Sequence, residues 1–282
     1  LLQADDQKLT VEMASPVVDG GWLNCRVVPY GADQKLLLLR DITERMRMSK
    51  MRRDFVANAS HELRSPLTVI AGYLDSLADD DDVPHAWQKP VDQMQNQAHR
   101  MRQILGELLE LSRLESAGKA SVDEAVDVGH LLDESKNAFQ GHADIADIVI
   151  NVASTAELRG SAAEIETIIV NLLSNAVRFT PKDGQITLTW RSGSDGADLV
   201  VSDTGEGIDE EHIPRLTERF FRIDKARGRE DGGTGLGLAI VKHVLARYDG
   251  ELIITSEPDV GSEFRCHFPP DRVVLTPPAA LS

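Results

Sequence analysis

The chain is poor in cysteines, aromatic residues and long apolar runs. Aromatic side chains make up 5% of its 282 residues, which suits helices rich in Leu, Ile and Ala. Its two cysteines, Cys25 and Cys266, form no CxxC motif and at most one disulfide, so we expect two reduced thiols. The longest apolar run covers residues 36–39, far short of the roughly 18 residues that a membrane helix needs. These absences exclude a disulfide framework and argue against a membrane span within the chain.

Positive charge is also scarce, because 30 Lys and Arg stand against 46 Asp and Glu, a formal net charge of −16. This balance argues against DNA or RNA as a partner and against a general affinity for anionic membranes. It leaves room for a local basic pocket that binds a nucleotide. No signal peptide is evident, and the first residue is Leu1 rather than Met. We therefore expect a fragment, with any membrane-bound part lying upstream.

The length predicts about two domains, and the first half of the chain divides into strands and then helices. Residues 1–41 predict two or three strands, too few to bury a core alone, so we expect the end of a truncated domain. Residues 42–78 and 90–115 predict long helices, with an acidic turn at 79–84 between them. Residues 116–127 are small and polar and predict a linker.

Each of the two long helices carries an apolar stripe at helical spacing. The first stripe contains Phe55, Ala59, Leu63, Ile70, Leu74 and Leu77, and the second contains Met94, Ala98, Met101, Leu105, Leu108, Leu111 and Leu114. Two such helices form an antiparallel hairpin in which each stripe stays half covered. Dimerisation into a four-helix bundle would cover both stripes. An intramolecular bundle is the alternative, although no third long helix lies nearby.

Residues 128–270 alternate helices and strands and predict an α/β sandwich, with one helical layer on one mixed sheet. The predicted strands are 145–152, 185–191, 199–203, 251–256 and 263–268, and the predicted helices are 129–140, 162–179, 209–217 and 235–249. Ser161 and Glu164 predict a capping box at the start of the helix at 162–179. The tail, residues 271–282, is predicted to be disordered.

The helix at 162–179 also carries a polar line on a face apart from its apolar stripe. The line consists of Asn171, Asn175 and Arg178. Amide oxygens can ligate Mg²⁺ and an arginine can contact phosphate, so the line could hold a metal–phosphate group. Taken by itself, a solvated helix face is the better interpretation.

An acidic residue followed by glycines ends one of the predicted strands. Asp203 closes the apolar strand, and Gly205 and Gly207 follow it. The carboxylate could accept a hydrogen bond from a purine amino group, and the glycines would let the backbone approach the base closely. A simple turn is the alternative.

A second glycine segment opens the helix at 235–249 and contains Gly232, Gly233, Gly235 and Gly237. Glycines leading into a helix N-terminus form an anion site from backbone N–H groups and the helix dipole. Because glycines cost stability, phosphate binding is favoured here over an ordinary helix cap. Leu238 excludes the dinucleotide fingerprint, and no P-loop lysine follows. The basic segment 219–229 could close over this site as a lid, and a solvated loop is an equal alternative.

The densest signal surrounds His61, in residues 55–66. A neutral imidazole is a competent nucleophile when a base is adjacent, and Glu62 supplies that carboxylate. His61 lies off the apolar stripe, so we expect it to face solvent. Pro66 would free a carbonyl group and bend the helix just past the histidine. A zinc-protease motif is excluded because Ser65 stands where a second histidine is required.

Together these motifs resemble those of the sensor histidine kinases of two-component signalling. The histidine box resembles residues 61–66, the asparagine box 171–181, the first glycine box 203–207, the phenylalanine box 219–221 and the second glycine box 233–237. They occur in the order and spacing of that family. The resemblance implies a multidomain fold: the end of a PAS domain at 1–41, a helical hairpin for dimerisation and phosphotransfer at 42–115, a linker at 116–127, an ATP-binding domain of the Bergerat (GHKL) type at 128–270 and a tail at 271–282.

The resemblance also implies the roles of individual residues. Asp203 would contact the adenine amino group, Asn175 with Asn171 would hold Mg²⁺, Arg178 would touch phosphate and Phe179 would flank the base. Gly205 and Gly207 would line the base, and Gly233, Gly235 and Gly237 would let a lid close over the phosphates of ATP. His61 would attack the γ-phosphate with Glu62 as base, and the phosphoryl group would pass to an aspartate of a response regulator.

Further runs of sequence, including residues 67–74 and 212–220, resemble the kinases of the phosphate regulon. That likeness implies a PhoB-like receiver domain as partner, a homodimer, and a location on the cytoplasmic side of a bacterial inner membrane. Ser65 stands where the family usually has Thr, a hydroxyl that serves dephosphorylation of the regulator. Ser keeps the hydroxyl and loses the methyl group that restrains it.

Two other functions compete with this interpretation. A chaperone or mismatch-repair-like ATPase would share the nucleotide fold, but it would not need the His61–Glu62 pair on a helical hairpin. A dimerisation scaffold with a degenerate nucleotide site is opposed by the intact Asn175, Asp203 and glycines. ATP binding without phosphotransfer would favour the scaffold.

Overall fold

A computed structural model describes residues 10–30, 34–78, 84–115, 124–140, 146–223 and 233–274. The side chains of Thr10, Arg52, Arg53 and His61 lie outside this description. The chain divides into two compact units, residues 1–59 and residues 60–282. Among the described residues, no helix combines the length and the apolarity that crossing a bilayer requires.

The first unit begins with an antiparallel sheet of three strands in the order β1-β2-β3. The strands are β1 (Thr10–Ala14), β2 (Trp22–Tyr30) and β3 (Gln34–Asp41). The prediction of two or three strands is therefore confirmed. A hydrogen-bonded junction leads from the sheet into the next helix: the Trp22 N–H donates to the Thr43 hydroxyl (2.9 Å), and the Thr43 N–H donates to Asp41 (2.8 Å). Hydrogen bonds from the Thr43 hydroxyl and N–H lower the pKa of Asp41.

Two long helices follow, α1 (Thr43–Ala78) and α2 (His85–Leu114). The second helix begins five residues earlier than the sequence predicts, because Pro90 lies inside it rather than at its first turn. Leu67, Ala71 and Leu74 of α1 pack against Ala98 of α2. Most of the predicted α1 stripe stays exposed, as the half-covered hairpin requires: Phe55, Leu63, Ile70 and Leu77 all keep more than two fifths of their surface.

The remaining described elements form an α/β domain, residues 124–274. Its helices are α3 (Val128–Gln140), α4 (Ala162–Phe179) and α5 (Gly237–Arg247). Its strands are β4 (Glu124–Val126), β5 (Asp147–Val152), β6 (Glu157–Gly160), β7 (Gln185–Gly193), β8 (Gly196–Asp203), β9 (Glu251–Glu257), β10 (Gly261–Phe268) and β11 (Val273–Val274).

The helices pack on a mixed sheet with the strand order β5-β7-β8-β10-β9, in which only β5 and β7 are parallel. Alternate residues of β7, namely Ile186, Leu188 and Trp190, are buried in the core, as one covered sheet face requires. Six residues of α4 are buried in the same core: Ile165, Ile168, Ile169, Leu172, Leu173 and Ala176. The predicted α/β sandwich with one mixed sheet is thus confirmed.

A small second sheet, β11-β6-β4, corrects two boundaries that the sequence predicts. The end of the predicted linker, Glu124–Val126, is a strand, and Val126 is buried. The start of the predicted disordered tail is also ordered, because Val273–Val274 pairs with β6. Both strands are ordered because they pair with β6, which is distant in sequence, and their own short sequences carry no clear strand pattern. The rest of both segments, residues 116–123 and 275–282, lies outside the described part of the chain.

Two local predictions are wrong. Residues 209–217 contain only a 3₁₀ turn at Ile213–Arg215 instead of a helix, because the segment is short, polar and interrupted by a proline. The capping box is also absent, since Ser161 makes no side-chain cap. The Ser161 N–H donates instead to the Tyr248 hydroxyl (2.9 Å), and Glu164 pairs with Arg247 (2.9 Å). Tertiary partners therefore replace the local cap.

The last turns of α2 join the core of the α/β domain, which the hairpin pattern does not predict. Leu111 is 1% exposed within that core, and Leu108 and Leu114 pack against it. The apolar stripe of α2 thus serves two partners. Its first half lies against α1, and its last two turns lie against the α/β domain.

Candidate functional site

The site lies where the exposed face of α4 meets two glycine segments, one after β8 and one before α5. A Cβ atom on Gly205 would overlap the Phe179 carbonyl, and one on Gly233 would overlap the Arg178 guanidinium. A Cβ atom on Gly237 would lie 2.7 Å from Oδ1 of Asn171. The approach of Gly205 to a backbone carbonyl requires glycine, whereas the other two contacts are with the ends of side chains. The structure thus brings together the polar line and both glycine segments that the sequence singles out.

Asp203 ends β8 as a carboxylate that is 9% exposed. Its Oδ1 accepts a hydrogen bond from the Gly205 N–H (2.9 Å). Burial raises the pKa of Asp203, while hydrogen bonds from the backbone N–H groups of Gly205 and Ser262 lower it by a smaller amount. Such a carboxylate is a fixed acceptor, positioned by the backbone on two sides, and can recognise an amino group.

A pair of serines beside Asp203 was not predicted from the sequence. Ser262 is the second residue of β10 and lies directly opposite Asp203 in the sheet register. The Ser256 and Ser262 hydroxyls are 2.9 Å apart, and Ser256 also accepts from the Ile208 N–H (2.8 Å). The pair therefore fixes the segment that contains Gly207, whose φ of 66° favours glycine. No local motif marks these serines, because strand pairing alone brings them to the site.

The polar line of α4 is half-buried. Asn171 donates from Nδ2 to the Thr167 carbonyl (2.8 Å), which directs Oδ1 toward Gly237 at the start of α5. Asn175 lies one turn further along the same helix. The Arg178 guanidinium lies 5.2 Å from the centre of the Phe179 ring. Phe179 is 47% exposed, so it offers an aromatic face at the mouth of the site.

Two amide oxygens suit a magnesium ion whose other ligands come from phosphate and water, because Mg²⁺ prefers oxygen ligands and keeps several of its waters. Among the described residues, no group of three or more His, Cys, Asp or Glu side chains could hold a metal ion by itself. Asn171 and Asn175 therefore fit a metal that arrives with its phosphate ligand.

The second glycine segment is held by the residues of the phenylalanine box. The Phe220 N–H donates to the Gly235 carbonyl (2.8 Å), and both residues have positive φ angles, 61° and 75°. The Leu236 N–H donates to the Thr234 hydroxyl (3.2 Å) just before α5 begins at Gly237. The first N–H groups of α5 thus lie among glycines, where an anion can approach. Gly232 and the part of the predicted basic lid at 224–229 lie outside the described residues.

The predicted phosphorylation motif lies on α1, which continues unbroken through Pro66 to Ala78. Glu62 and Ser65 are exposed. His61 is placed on the helix between Ser60 and Glu62, and its side chain is outside the described part. The expectation that the imidazole faces solvent stays a prediction.

Two protein families match this chain. The His Kinase A (phospho-acceptor) domain matches residues 51–117, and the family of histidine kinase-, DNA gyrase B- and HSP90-like ATPases matches residues 160–272. The phosphate regulon sensor protein PhoR of Pseudomonas aeruginosa is 44% identical over 95% of this chain and 61% of its own length. The chain belongs to the sensor histidine kinase family.

Other histidine kinases show the same relationship. The sensor-like histidine kinase SenX3 of Mycolicibacterium smegmatis is 37% identical over 83% of this chain and 62% of its own length. The crystal structure of full-length ShkA in complex with AMPPNP superposes with a TM-score of 0.63 at 26% identity, covering 77% of this chain and 45% of that one. This sensor histidine kinase chain thus spans about three fifths of the length of the curated relatives named here.

We expect Asp203→Asn to weaken ATP binding roughly tenfold or more, since a hydrogen bond to a charged acceptor contributes about 1.5–3 kcal/mol. The variant presents an amide N–H₂ where the adenine amino group needs an acceptor. Titration with a fluorescent ATP analogue measures the change. The matched control is Asp198→Asn at the other end of β8, which lies against Arg191 and His267 and should bind ATP like the wild type. Equal affinities for the two variants would contradict the role of Asp203.

The raised pKa of Asp203 adds a dependence on pH. Protonation removes an acceptor, so ATP affinity should fall as the pH drops through this pKa, at a higher pH than for an ordinary aspartate. The difference between wild type and Asp203→Asn isolates this contribution from protonation of the nucleotide itself.

Proposed function

We propose that this chain is an ATP-dependent protein-histidine kinase that phosphorylates its own His61. The observation that carries the proposal is the buried Asp203 carboxylate, fixed by the Gly205 N–H at the end of β8, in a chain that also holds a His–Glu pair on a helical hairpin. An ATPase of another class would need the first of these features but not the second.

The α/β domain would bind ATP in an extended arrangement between α4 and the glycine segments. Asp203 accepts from the adenine amino group and Phe179 flanks the base. Arg178 and the N-terminus of α5 approach the phosphates from two sides, since Gly233 brings them together. Mg²⁺, held by Asn171 and Asn175, would neutralise charge on the phosphate oxygens.

The proposed reaction is a transfer of the γ-phosphoryl group. An imidazole nitrogen of His61 attacks the γ-phosphorus, a P–N bond forms, and the bond to the β,γ-bridging oxygen breaks. ADP leaves with that electron pair, and Glu62 accepts the proton from the other imidazole nitrogen. Most of the rate enhancement would come from holding His61 and the γ-phosphate in line, because the protein has little covalent chemistry to perform in phosphoryl transfer.

Incubation with γ-labelled ATP tests the proposal. Label should enter the wild-type chain, be lost in acid and be retained in base, as a phosphoramidate requires. His61→Ala should remove the label completely while leaving ATP binding unchanged, and Asp203→Asn should lower both. Label that persists in His61→Ala would contradict the assignment. ATP binding without any label in the wild type would favour a scaffold.

The phosphorylated chain would pass its phosphoryl group to an aspartate of a response regulator. Its 44% sequence identity to PhoR of Pseudomonas aeruginosa supports a PhoB-like receiver domain as the partner and a role in the response to phosphate starvation. The location that the family resemblance implies, on the cytoplasmic side of a bacterial inner membrane, stays a prediction. Ser65 is exposed one turn after His61, where its hydroxyl could orient a water molecule for dephosphorylation of the regulator.

Ser65→Ala separates the two activities. It should slow loss of label from a phosphorylated receiver domain several-fold and leave labelling of His61 near the wild-type rate. Ser65→Thr, which restores the branched hydroxyl, should keep or increase the phosphatase rate. If Ser65→Ala lost label as fast as the wild type, Ser65 would have no part in dephosphorylation.

The hairpin is proposed to dimerise into a four-helix bundle, and exposed apolar residues on its two helices support this. On α1 and α2 these are Leu63, Val69, Ile70, Tyr73, Leu77, Trp87, Met94 and Met101. So many exposed apolar side chains on one hairpin are typical of a surface that another chain covers.

Sedimentation at micromolar concentration tests the dimer. Ile70→Glu should raise the dimer dissociation constant at least tenfold, because burying an unpaired carboxylate costs several kcal/mol. Val260→Glu is the control, since Val260 is equally apolar and 60% exposed on the α/β domain. A monomeric wild type, or an equal effect of both variants, would contradict a dimer formed by this surface.

A further inference from the structure

Three carboxylates, two in the last turns of α2 and one just after its end, each reach a different part of the α/β domain. Glu107 accepts from the Thr234 hydroxyl in the second glycine segment. Glu110 accepts from the Thr167 hydroxyl of α4 (3.1 Å), and Glu115 pairs with Arg219 and with His243 of α5 (3.5 Å to His243).

The contact between Glu107 and Thr234 differs from the other two in its position. Thr234 lies between Gly233 and Gly235, is 8% exposed and accepts from the Leu236 N–H just before α5 begins. A negatively charged group from the helical hairpin therefore reaches the segment on which the proposed phosphate site depends. Burial raises the pKa of Glu107, while hydrogen bonds from Thr234 and Gln103 lower it by a smaller amount.

Two anions cannot share such a place without cost. A helix N-terminus with free N–H groups favours a single negative group, either the carboxylate or the phosphates of a nucleotide. Like charges within a few ångströms repel strongly where water is excluded. We propose that Glu107 competes with the phosphates of ATP, so that docking of α2 through Glu107 and Thr234 lowers the affinity for ATP, and bound ATP weakens that docking. The inference rests on the proposed function.

The competition acts in both directions, so a movement of α2 could regulate the binding of ATP. If docking of Glu107 lowers ATP affinity by some factor, ATP lowers the stability of docking by the same factor. A movement of α2 that withdraws Glu107 would then raise the affinity of the α/β domain for ATP. A signal transmitted along the hairpin would thus reach the nucleotide through the hydrogen bond between Thr234 and Glu107.

Charge-neutral variants of the full chain test the proposal. Glu107→Gln keeps a hydrogen-bond acceptor for Thr234 and removes the charge, so it should tighten binding of a fluorescent, non-hydrolysable ATP analogue about fivefold, or ~1 kcal/mol. The gain should shrink at high salt, which screens the repulsion. Glu110→Gln is the matched control: it makes the same change one turn away, opposite Thr167 rather than the glycines. It should stay within about twofold of the wild type.

Hydrogen exchange on the wild type gives a readout that needs no variant. Addition of the ATP analogue should speed exchange of backbone amides in the last turns of α2, residues 107–115. Unchanged exchange, or an ATP affinity that Glu107→Gln leaves unaltered or lowers, would overturn the competition. If Glu110→Gln tightened binding as much as Glu107→Gln, the effect would belong to general charge and the proposal would fail.

The two proposals fail in different ways. If the wild type bound no ATP analogue, or if Asp203→Asn bound it as well as the wild type, the proposed function itself would fail. If the wild type bound the analogue through Asp203 and Glu107→Gln made no difference, only the competition would be rejected.

Discussion

The buried stripe of α4 is the constraint on which the site depends. Six of its side chains are almost completely removed from water in the core of the α/β domain. At roughly 25 cal/mol per Å² of apolar surface, burial on this scale fixes the rotation of the helix about its axis. Asn171, Asn175 and Arg178 must then emerge on the opposite side, where the glycine segments lie. The chemistry of the site follows from the packing of the helix behind it.

Close approach of backbone segments is the second requirement. Gly205 passes against the end of α4, and Gly233 and Gly237 pass against its polar line. A Cβ atom at Gly205 would overlap the backbone carbonyl of Phe179, so the absence of that atom is what allows this segment to reach α4. Gly233 and Gly237 lead into the N-terminus of α5, whose first backbone N–H groups can bind an anion.

Helix α2 contributes side chains to two cores, that of the hairpin and that of the α/β domain. Its first half covers the α1 residues of the hairpin core, while Leu108, Leu111 and Leu114 belong to the α/β domain. The same helix therefore shares a core with the predicted phosphorylation helix and with the proposed nucleotide site. A change in its position would reach both, which gives the proposed competition between Glu107 and ATP a physical route along the chain.

Local patterns in the sequence are enough to predict the long helices, the main strands of the mixed sheet and the candidate residues of the site. Apolar periodicity decides which face of a helix or strand is buried, and that pattern is local. Asp203 and the glycines could be singled out as candidates, although a simple turn was an alternative for Asp203 until the family resemblance gave it a role. The family resemblance supplied the roles that periodicity does not contain.

Only the tertiary structure decided the remaining features. The Ser256–Ser262 pair reaches Asp203 through strand register, and β4 and β11 exist because they pair with β6. The capping box failed because Tyr248 and Arg247, distant in sequence, offered better partners to Ser161 and Glu164. In the sequence Glu107 looks like any other glutamate of a helix, and the residue that it contacts, Thr234, lies 127 positions away. Such contacts depend on the sum of packing across the domain, which no local pattern records.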